Sequence, residues 1–361
     1  MSDRTQRIHG VLHGGAVGDS LGLPGEGISP QRQRRLWPGD LRHRFLFGHG
    51  MISDDTEHAF MTAQALLEAG GDVERFRRAL AGQLRGWFMA LPAGVGLATA
   101  RAGVRLWLGV PPERSGVNSA GNGPAMRSAI LGAVFAHEPE KRREFVRAST
   151  RLTHLDPRAE TAALAVAEAA AWIVRSSRGD EAPSESSESE PPHVGCYEDA
   201  LRCLRISEYP EWLEAWSHME RSLQQGDSVP GFARGLGLEQ GVSGYAYHTV
   251  PVALYAWLRH RGDFATAVTA AIRCGGDTDT VAAIAGAVAG GDVGVGGIPN
   301  GWRERLCDWP RSPELLRRVA AELALPTGQP VRWFWPGLIP RNLCFLAVVL
   351  AHGFRRLLPP Y

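Results

Sequence analysis

Apolar positions recur at three- and four-residue intervals in EHAFMTAQALLEAG (57–70), RAETAALAVAEAAAWIVR (158–175), VPVALYAWLRHRG (250–262) and SPELLRRVAAELAL (312–325), with charges on the opposite side of each repeat. That period predicts amphipathic α-helices with one face turned inward. Strand-like alternation is scarce and β-branched residues do not cluster. The predicted fold class is therefore all-α, with Gly/Pro-rich connections acting as helix stops. The segment SSRGDEAPSESSESEPPH (176–193) is polar, acidic and nearly free of apolar residues. It has no burial to offset its ordering entropy and is expected to be a mobile surface loop. From Pro326 onward the texture changes to Trp, Phe, Pro and Arg, as in PTGQPVRWFWPGLIPR. This predicts a main domain over 1–325 and a C-terminal extension over 326–361. The apolar run near the end, in LCFLAVVLAHGF, covers about nine residues, short of the roughly 20 needed to cross a bilayer. A buried or interfacial helix and no transmembrane span are expected there.

Length and charge narrow the picture further. A chain of 361 residues can bury a large core without covalent staples. The net charge is +1, from 39 basic and 38 acidic residues, so no overall field draws in nucleic acid or an anionic membrane. Partners must be sought in local sites, and stable nucleic-acid binding is not expected. The five cysteines (Cys196, Cys203, Cys274, Cys307 and Cys344) show no C-x-x-C spacing and leave an odd count. That fits a reduced protein better than a disulfide framework. The opening MSDRTQRIHGVLHGGAVGDS lacks a cationic stretch followed by an apolar run, so no signal peptide is read and a cytoplasmic location is expected.

Two places gather acids. In GGDTDTVAAIAGAVAG (275–290), Asp277, Asp279 and Thr280 stand between a Gly-Gly pair and a run of small apolar residues that reads as a closely packed helix. In GHGMISDDTEHAF (48–60), Ser53, Asp54, Asp55 and Thr56 precede an amphipathic helix. Ser, Thr and Asp are favoured at helix starts because they cap free amides and complement the dipole. A cap needs only one or two such groups, and these places supply more. Carboxylates and hydroxyls without His or Cys are hard oxygen donors, suited to Mg²⁺, Mn²⁺ or Ca²⁺. If the fold brings the two helix starts together, one or two divalent ions would fit between them.

Two glycine-rich stretches accompany the acids. HGGAVGDSLGLPGEG (13–27) carries Asp19 and Glu26 among Gly14, Gly15, Gly18 and Gly22, which permit either close helix packing or backbone approach to a ligand. No G-K-[ST] follows and no strand precedes, so it is not a nucleotide-binding fingerprint. SAGNGPAMRSAILGAVFAH (119–137) is a small-residue loop running into a helix whose free amides suit a phosphate or diphosphate.

Together these places resemble the ADP-ribosylglycohydrolase family. Its G-x-x-x-G-D-x-[LM]-G opening stands at Gly14 to Gly22, its [ST]-D-D-T at Ser53 to Thr56, and its N-G-x-x-M-R at Asn122 to Arg127. Thr153-His154, the segment SGYAYHTVPVALYAWL (243–258) and GGDTDT follow in the family's order, so the resemblance spans about residues 8–310. It implies a single orthogonal multi-helix domain with a binuclear site for two Mg²⁺ or Mn²⁺ in a central cleft. Carried over by motif, Ser53, Asp54, Asp55, Asp277, Asp279 and Thr280 are the expected metal ligands. Glu26, Asp54 and Asp279 are the expected catalytic residues. Gly96, Ser119, Gly121, Asn122, Gly123 and His154 are expected to line the ADP-ribose groove, with Tyr245 or Tyr247 stacking on the adenine.

The resemblance implies hydrolysis of the bond between the distal ribose of ADP-ribose and a protein side chain, through a transition state with oxocarbenium character. One position departs from the pattern. Many arginine-directed members carry P-x-D-I-G, whereas this chain has Pro92-Ala93-Gly94-Val95-Gly96. The aspartate that would face a guanidinium is missing, which puts arginine specificity in doubt. Arginine is favoured weakly as the acceptor because it is common among bacterial members of the family, and serine, another side chain, a base or a metabolite stay open. The expected partner is an ADP-ribosylated protein. The alternatives are an immunity protein that occupies an ADP-ribosylating toxin, and a structural use of the fold as in related lens crystallins.

Overall fold

The computed structural model describes residues 2–176, 196–207 and 209–359. The expected mobile loop lies, from 177 to 193, outside the described residues. Among those described, the chain is all-α, as its apolar period predicts. The N-terminal half contains α1 (Asp3–Gly22), α2 (Pro30–Leu36), α3 (Asp54–Ala69), α4 (Val73–Met89), α5 (Leu97–Trp107), α6 (Ala129–Val134), α7 (Pro139–Arg151) and α8 (Pro157–Arg175). The remainder contains α9 (Cys196–Cys203), α10 (Pro210–Gln225), α11 (Val229–Gly235), α12 (Ala246–Arg259), α13 (Phe264–Ile272), α14 (Thr278–Val293), α15 (Asn300–Arg303), α16 (Pro313–Leu323) and α17 (Leu338–Arg356). Extended pairing among the described residues is limited to isolated bridges, including Ile28 with Gly276, Val242 with Gly276, Gly121 with Tyr245 and Val117 with His154. These bridges tie together the loops that carry the acidic and glycine-rich motifs.

The centre of the domain is the contact of α1 with α14. Gly10, Gly14, Gly18 and Gly22 repeat every fourth residue along one side of α1 and meet the backbone of α14. A Cβ placed at Gly18 would lie 2.0 Å from the carbonyl oxygen of Ala282, and one at Gly22 would lie 2.3 Å from that of Thr278. Gly286 and Gly290 of α14 answer from the other side. The two backbones touch, an approach that only glycine permits. Of the two uses open to this glycine row, the structure shows helix packing. Its consequence is positional: the Thr278 hydroxyl donates to the carbonyl of Gly22 at 2.7 Å, which pins the start of α14 to the end of α1.

Behind the start of α3 lies a buried polar network. Glu57 accepts from Arg311 at 2.6 Å and from the Trp87 indole at 2.5 Å. Asp308 accepts from the Ile52 amide at 3.1 Å and from Arg341 at 2.6 Å. Arg341 and Asn342 belong to α17, and Asn342 donates to the carbonyl of Ala90 at 2.7 Å. The apolar run near the C-terminus is part of a longer helical stretch than its nine residues suggest. The helical stretch Trp335–Arg356, which contains α17, covers 22 residues, and an 18-residue window of it has mean hydropathy 1.5. It is long and apolar enough to cross a membrane by length and composition, and 28% of that window is buried.

Candidate active site

The starts of α3 and α14 meet at the floor of a cleft of about 520 Å³. The contact that joins them is direct. The Thr280 hydroxyl donates to Oδ2 of Asp55 at 3.2 Å, across 225 residues of sequence. Ser53 is the N-cap of α3, accepting from the Asp55 amide at 3.3 Å and donating to Oδ2 of Asp55 at 3.2 Å. Capping thus accounts for Ser53, but not for the acids. Asp277 occupies the N-cap position of α14 without capping it. Its Oδ2 instead accepts from the side-chain amide Nδ2 of Asn122 at 2.6 Å.

Asp19 explains how the α3 turn is held. It is fully buried on α1, and its Oδ2 accepts from the Ser53 amide at 2.9 Å, the Thr56 amide at 3.2 Å and the Thr56 hydroxyl at 2.5 Å. Burial pushes its carboxyl up to about 6 against the pull of these hydrogen bonds. Asp54, Asp55 and Asp279 are pushed well above the usual carboxylate range, first by burial and then by neighbouring carboxylates. One oxygen of Asp19 and one of Asp55 are buried with no hydrogen-bond partner. Like charges and bare oxygens at one place are costly unless a cation or protons neutralise them.

Among the described residues, no three His, Cys, Asp or Glu side chains converge into a preassembled metal site. The donor set nevertheless fits a hard divalent cation: carboxylates and hydroxyls on facing helix starts, with unpaired buried oxygens and no nitrogen or sulfur ligand.

The cleft is lined by Glu26, Asp54, Gly96, Ser119, Gly121, Asn122, Gly123, His154, Asp277, Asp279 and Thr280, while Ser53 and Asp55 lie buried beneath it. Glu26 stands exposed on the rim loop after α1. Desolvation at the cleft wall and the Asp277 charge raise its carboxyl, and Arg356 lowers it. His154 is buried and neutral, its ring held by Thr153 at 2.9 Å and its pKa lowered to about 3 by burial and by Arg127. A Cβ at Gly121 or Gly123 would lie 3.0 or 3.1 Å from that ring, so the glycines let the loop close over it. Arg127 anchors this wall from inside, donating to Ser149, His58 and Thr153.

Tyr245 and Tyr247 lie outside this lining. Tyr245 sits beyond Gly121 and hydrogen-bonds Glu211, while Tyr247 is buried against Trp212. Asn122, expected to line the groove, does line the cleft, and its side-chain amide donates to Asp277. Asp19 is the residue whose place sequence reasoning missed. Its signal was the acid inside the glycine row, but its contact to α3 is long-range.

The fold and the cleft define an all-α domain with an oxygen-donor floor between two helix starts. The family model for ADP-ribosylglycohydrolase matches residues 1–330, and the chain belongs to that family. It is similar to the ADP-ribosyl-[dinitrogen reductase] glycohydrolase of Rhodospirillum rubrum, 27% identical over 337 residues, covering 88% of this chain and 96% of that protein. A protein of Archaeoglobus fulgidus is 30% identical over 325 residues, covering 88% and 96%. The ADP-ribosylhydrolase ARH3 of Xenopus tropicalis is 26% identical over 336 residues, covering 84% and 91%. A solved ADP-ribosylglycohydrolase-related protein complex aligns with a TM-score of 0.63 at 26% identity, over 91% of this chain and all of that one. The protein is accordingly a glycohydrolase acting on ADP-ribosyl linkages.

Proposed function

We propose that this chain removes ADP-ribose from a modified protein side chain, with arginine the first acceptor to test, using two Mg²⁺ or Mn²⁺ ions held between the starts of α3 and α14. The observation that carries the reading is the Thr280–Asp55 contact at 3.2 Å, which brings two acid-rich helix starts to one place beside an unpartnered Asp55 oxygen. Asp54, Asp55 and Ser53 from α3, with Asp277, Asp279 and Thr280 from α14, would hold the ions. When bound, such ions supply Lewis-acid orientation of ribose hydroxyls and a lower pKa for the attacking water.

The chain's own groups do the rest. In the loop from Ser119 to Gly123 the backbone amides of Gly121 and Asn122 are taken by the Ser119 hydroxyl and the Gly244 carbonyl. That leaves those of Ala120 and Gly123 to meet the diphosphate, and the uncharged His154 ring lies against these glycines as the wall. Glu26, on the rim, accepts the water's proton as general base, a contribution of roughly 10²–10⁴-fold. Asn122 fixes the Asp277 carboxylate, and Asp19 fixes the turn that presents Asp54 and Asp55. On the acceptor side, the loop around Gly94 lies over Asp54, with a Cβ at Gly94 falling 4.0 Å from its Oδ1. Glycine there leaves the acceptor without a facing carboxylate, so arginine-linked and serine-linked substrates both belong in the test. Hydrolysis, rather than occupation of a toxin, is what family membership supports.

The experiment is release of free ADP-ribose from arginine-linked and serine-linked ADP-ribosyl peptides, with Mg²⁺, with Mn²⁺ and with EDTA, beside Asp279→Asn. The expected result is metal-dependent release by the wild type, lost in the variant while its helical circular dichroism is unchanged. EDTA-resistant release, or undiminished release by Asp279→Asn, contradicts the reading.

A further inference from the structure

The C-terminal helix has two unlike faces. Its inner face is fastened to the domain: Arg341 bonds Asp308 and the carbonyl of Ile52, Asn342 bonds Ala90, and Phe345 packs with Leu23, Phe45 and Met51. Its outer face presents Ile339, Leu343, Leu346, Leu350, Phe354 and Leu357 to solvent, each more than two-fifths exposed. These recur at three- and four-residue steps, so they form one continuous apolar stripe. A stripe of this kind on a free surface marks a contact site.

The stripe has apolar neighbours on other elements. Phe47 is fully exposed on a left-handed turn with φ 58°, next to Leu46, which packs against the Phe345 cluster. Leu91 is exposed at φ 54°, beside the Ala90 that Asn342 holds. A bulky residue forced into left-handed backbone and pointed at water is unusual. Both flank the same helix.

Charge is segregated around the C-terminal end of the stripe, although the whole chain is nearly neutral. Residues 29–49 contain Arg32, Arg34, Arg35, Arg42 and Arg44 against Asp40 alone, no Asp or Glu follows Glu322, and Glu26 is the acid that stands near Arg356. Folding brings Arg32, Arg42 and Arg44 to the end of α17. Arg32 donates to the carbonyl of Arg356, and burial together with the charges of Arg42 and Arg355 lowers Arg44 to about 10.

We propose that the outer face of α17, with Phe47, Leu91 and the adjoining arginine cluster, docks on an anionic lipid bilayer, the helix lying in the plane of the surface. Apolar side chains enter the acyl boundary and the arginines meet lipid phosphates. Spanning is disfavoured, because it would tear Arg341 from Asp308 at 2.6 Å and from Glu57 at 3.5 Å and leave buried carboxylates uncompensated. Pairing with a second copy fits less well. A two-helix seam is confined to one helix and uses charged flanking positions to set its register, whereas the flanks here are Pro340, Cys344, Ala347 and Ala351, and the apolar surface spreads to two other loops.

The test is co-sedimentation of the full chain with vesicles of phosphatidylcholine alone and of phosphatidylcholine with ~30% phosphatidylglycerol, at low and raised NaCl. The expected result is salt-sensitive binding to the anionic vesicles, at least about tenfold tighter than to the neutral ones. Leu346→Glu/Leu350→Glu, at solvent-exposed positions, abolishes it, and Arg355→Glu weakens it by about tenfold. Melting curves confirm that each variant is folded. No sedimentation with anionic vesicles at low salt, equal binding to both compositions, or binding that survives the double substitution overturns the proposal. So does a soluble dimer that the double substitution converts to a monomer, since a second copy would then cover the stripe. None of these readouts depends on catalysis.

Discussion

Replacing Gly18 by alanine tests the claim that backbone contact between α1 and α14 places the acids. The added Cβ would stand 2.0 Å from the carbonyl oxygen of Ala282 and 2.7 Å from its carbonyl carbon. No rotamer relieves this, because both partners are backbone. Restoring ordinary contact near 3.4 Å requires the helices to separate by roughly 1.4 Å, a gap that forfeits much of the dispersion along the seam. Overpacking of this kind costs about 1–3 kcal/mol, here at the upper end, while alanine's better helix propensity returns about 1 kcal/mol. The net is a destabilisation of about 2 kcal/mol, or roughly 2–3 °C in Tm on the specific unfolding entropy of globular proteins. Gly82 in α4 is the control, since it is exposed with nothing within 4 Å of a Cβ. There the same substitution stabilises by up to about 1 kcal/mol. Differential scanning fluorimetry of the two variants gives opposite signs. ADP-ribose release falls in Gly18→Ala alone, because a shifted α14 carries Thr280 away from Asp55. A Gly18→Ala protein that melts at or above the wild type refutes the argument.

Arg341→Ala leaves Asp308 and Glu57 buried without their full complement of positive charge and should cost about 3–5 kcal/mol, seen as a lowered midpoint in urea. Arg356 donates to the carbonyl of Glu26 at 2.7 Å; Arg356→Ala should free the rim loop and lower kcat/KM several-fold with little change in Tm. His9 and His13 are buried without hydrogen-bond partners and their pKa values are lowered to about 4, mainly by burial. Depressed imidazole values mean that stability is full above about pH 6.5 and is lost as pH falls toward 4, by up to about 3 kcal/mol for each ring. Melting temperature against pH should therefore drop across that window, and His9→Leu/His13→Leu should flatten the drop.

How far these features were legible in the sequence depended on range. The helices were legible because the apolar period is a local property, and both acidic helix starts were legible because residue types favoured at caps stand there, although Ser53 caps α3 and Asp277 does not cap α14. The glycine row was visible, but its use was undecided until α14 lay against it, since packing and ligand approach demand the same absence of Cβ. Asp19 holding Ser53, and Asn122 holding Asp277, are contacts between segments 34 and 155 residues apart, with no local pattern to announce them. The C-terminal helix was underestimated because Pro336, Pro340 and Arg341 interrupt its hydropathy. The proline positions fall in its first turns, where they are tolerated, and the arginine turns inward to a carboxylate.

The central claim is that the starts of α3 and α14 form one cation site serving glycoside cleavage. Its most direct test is a manganese anomalous difference map from crystals grown with Mn²⁺. The account predicts peaks between Asp54 and Asp55 on one side and Asp277, Asp279 and Thr280 on the other, absent in Asp279→Asn. Manganese bound elsewhere, or no manganese there in a protein that still releases ADP-ribose, would contradict it.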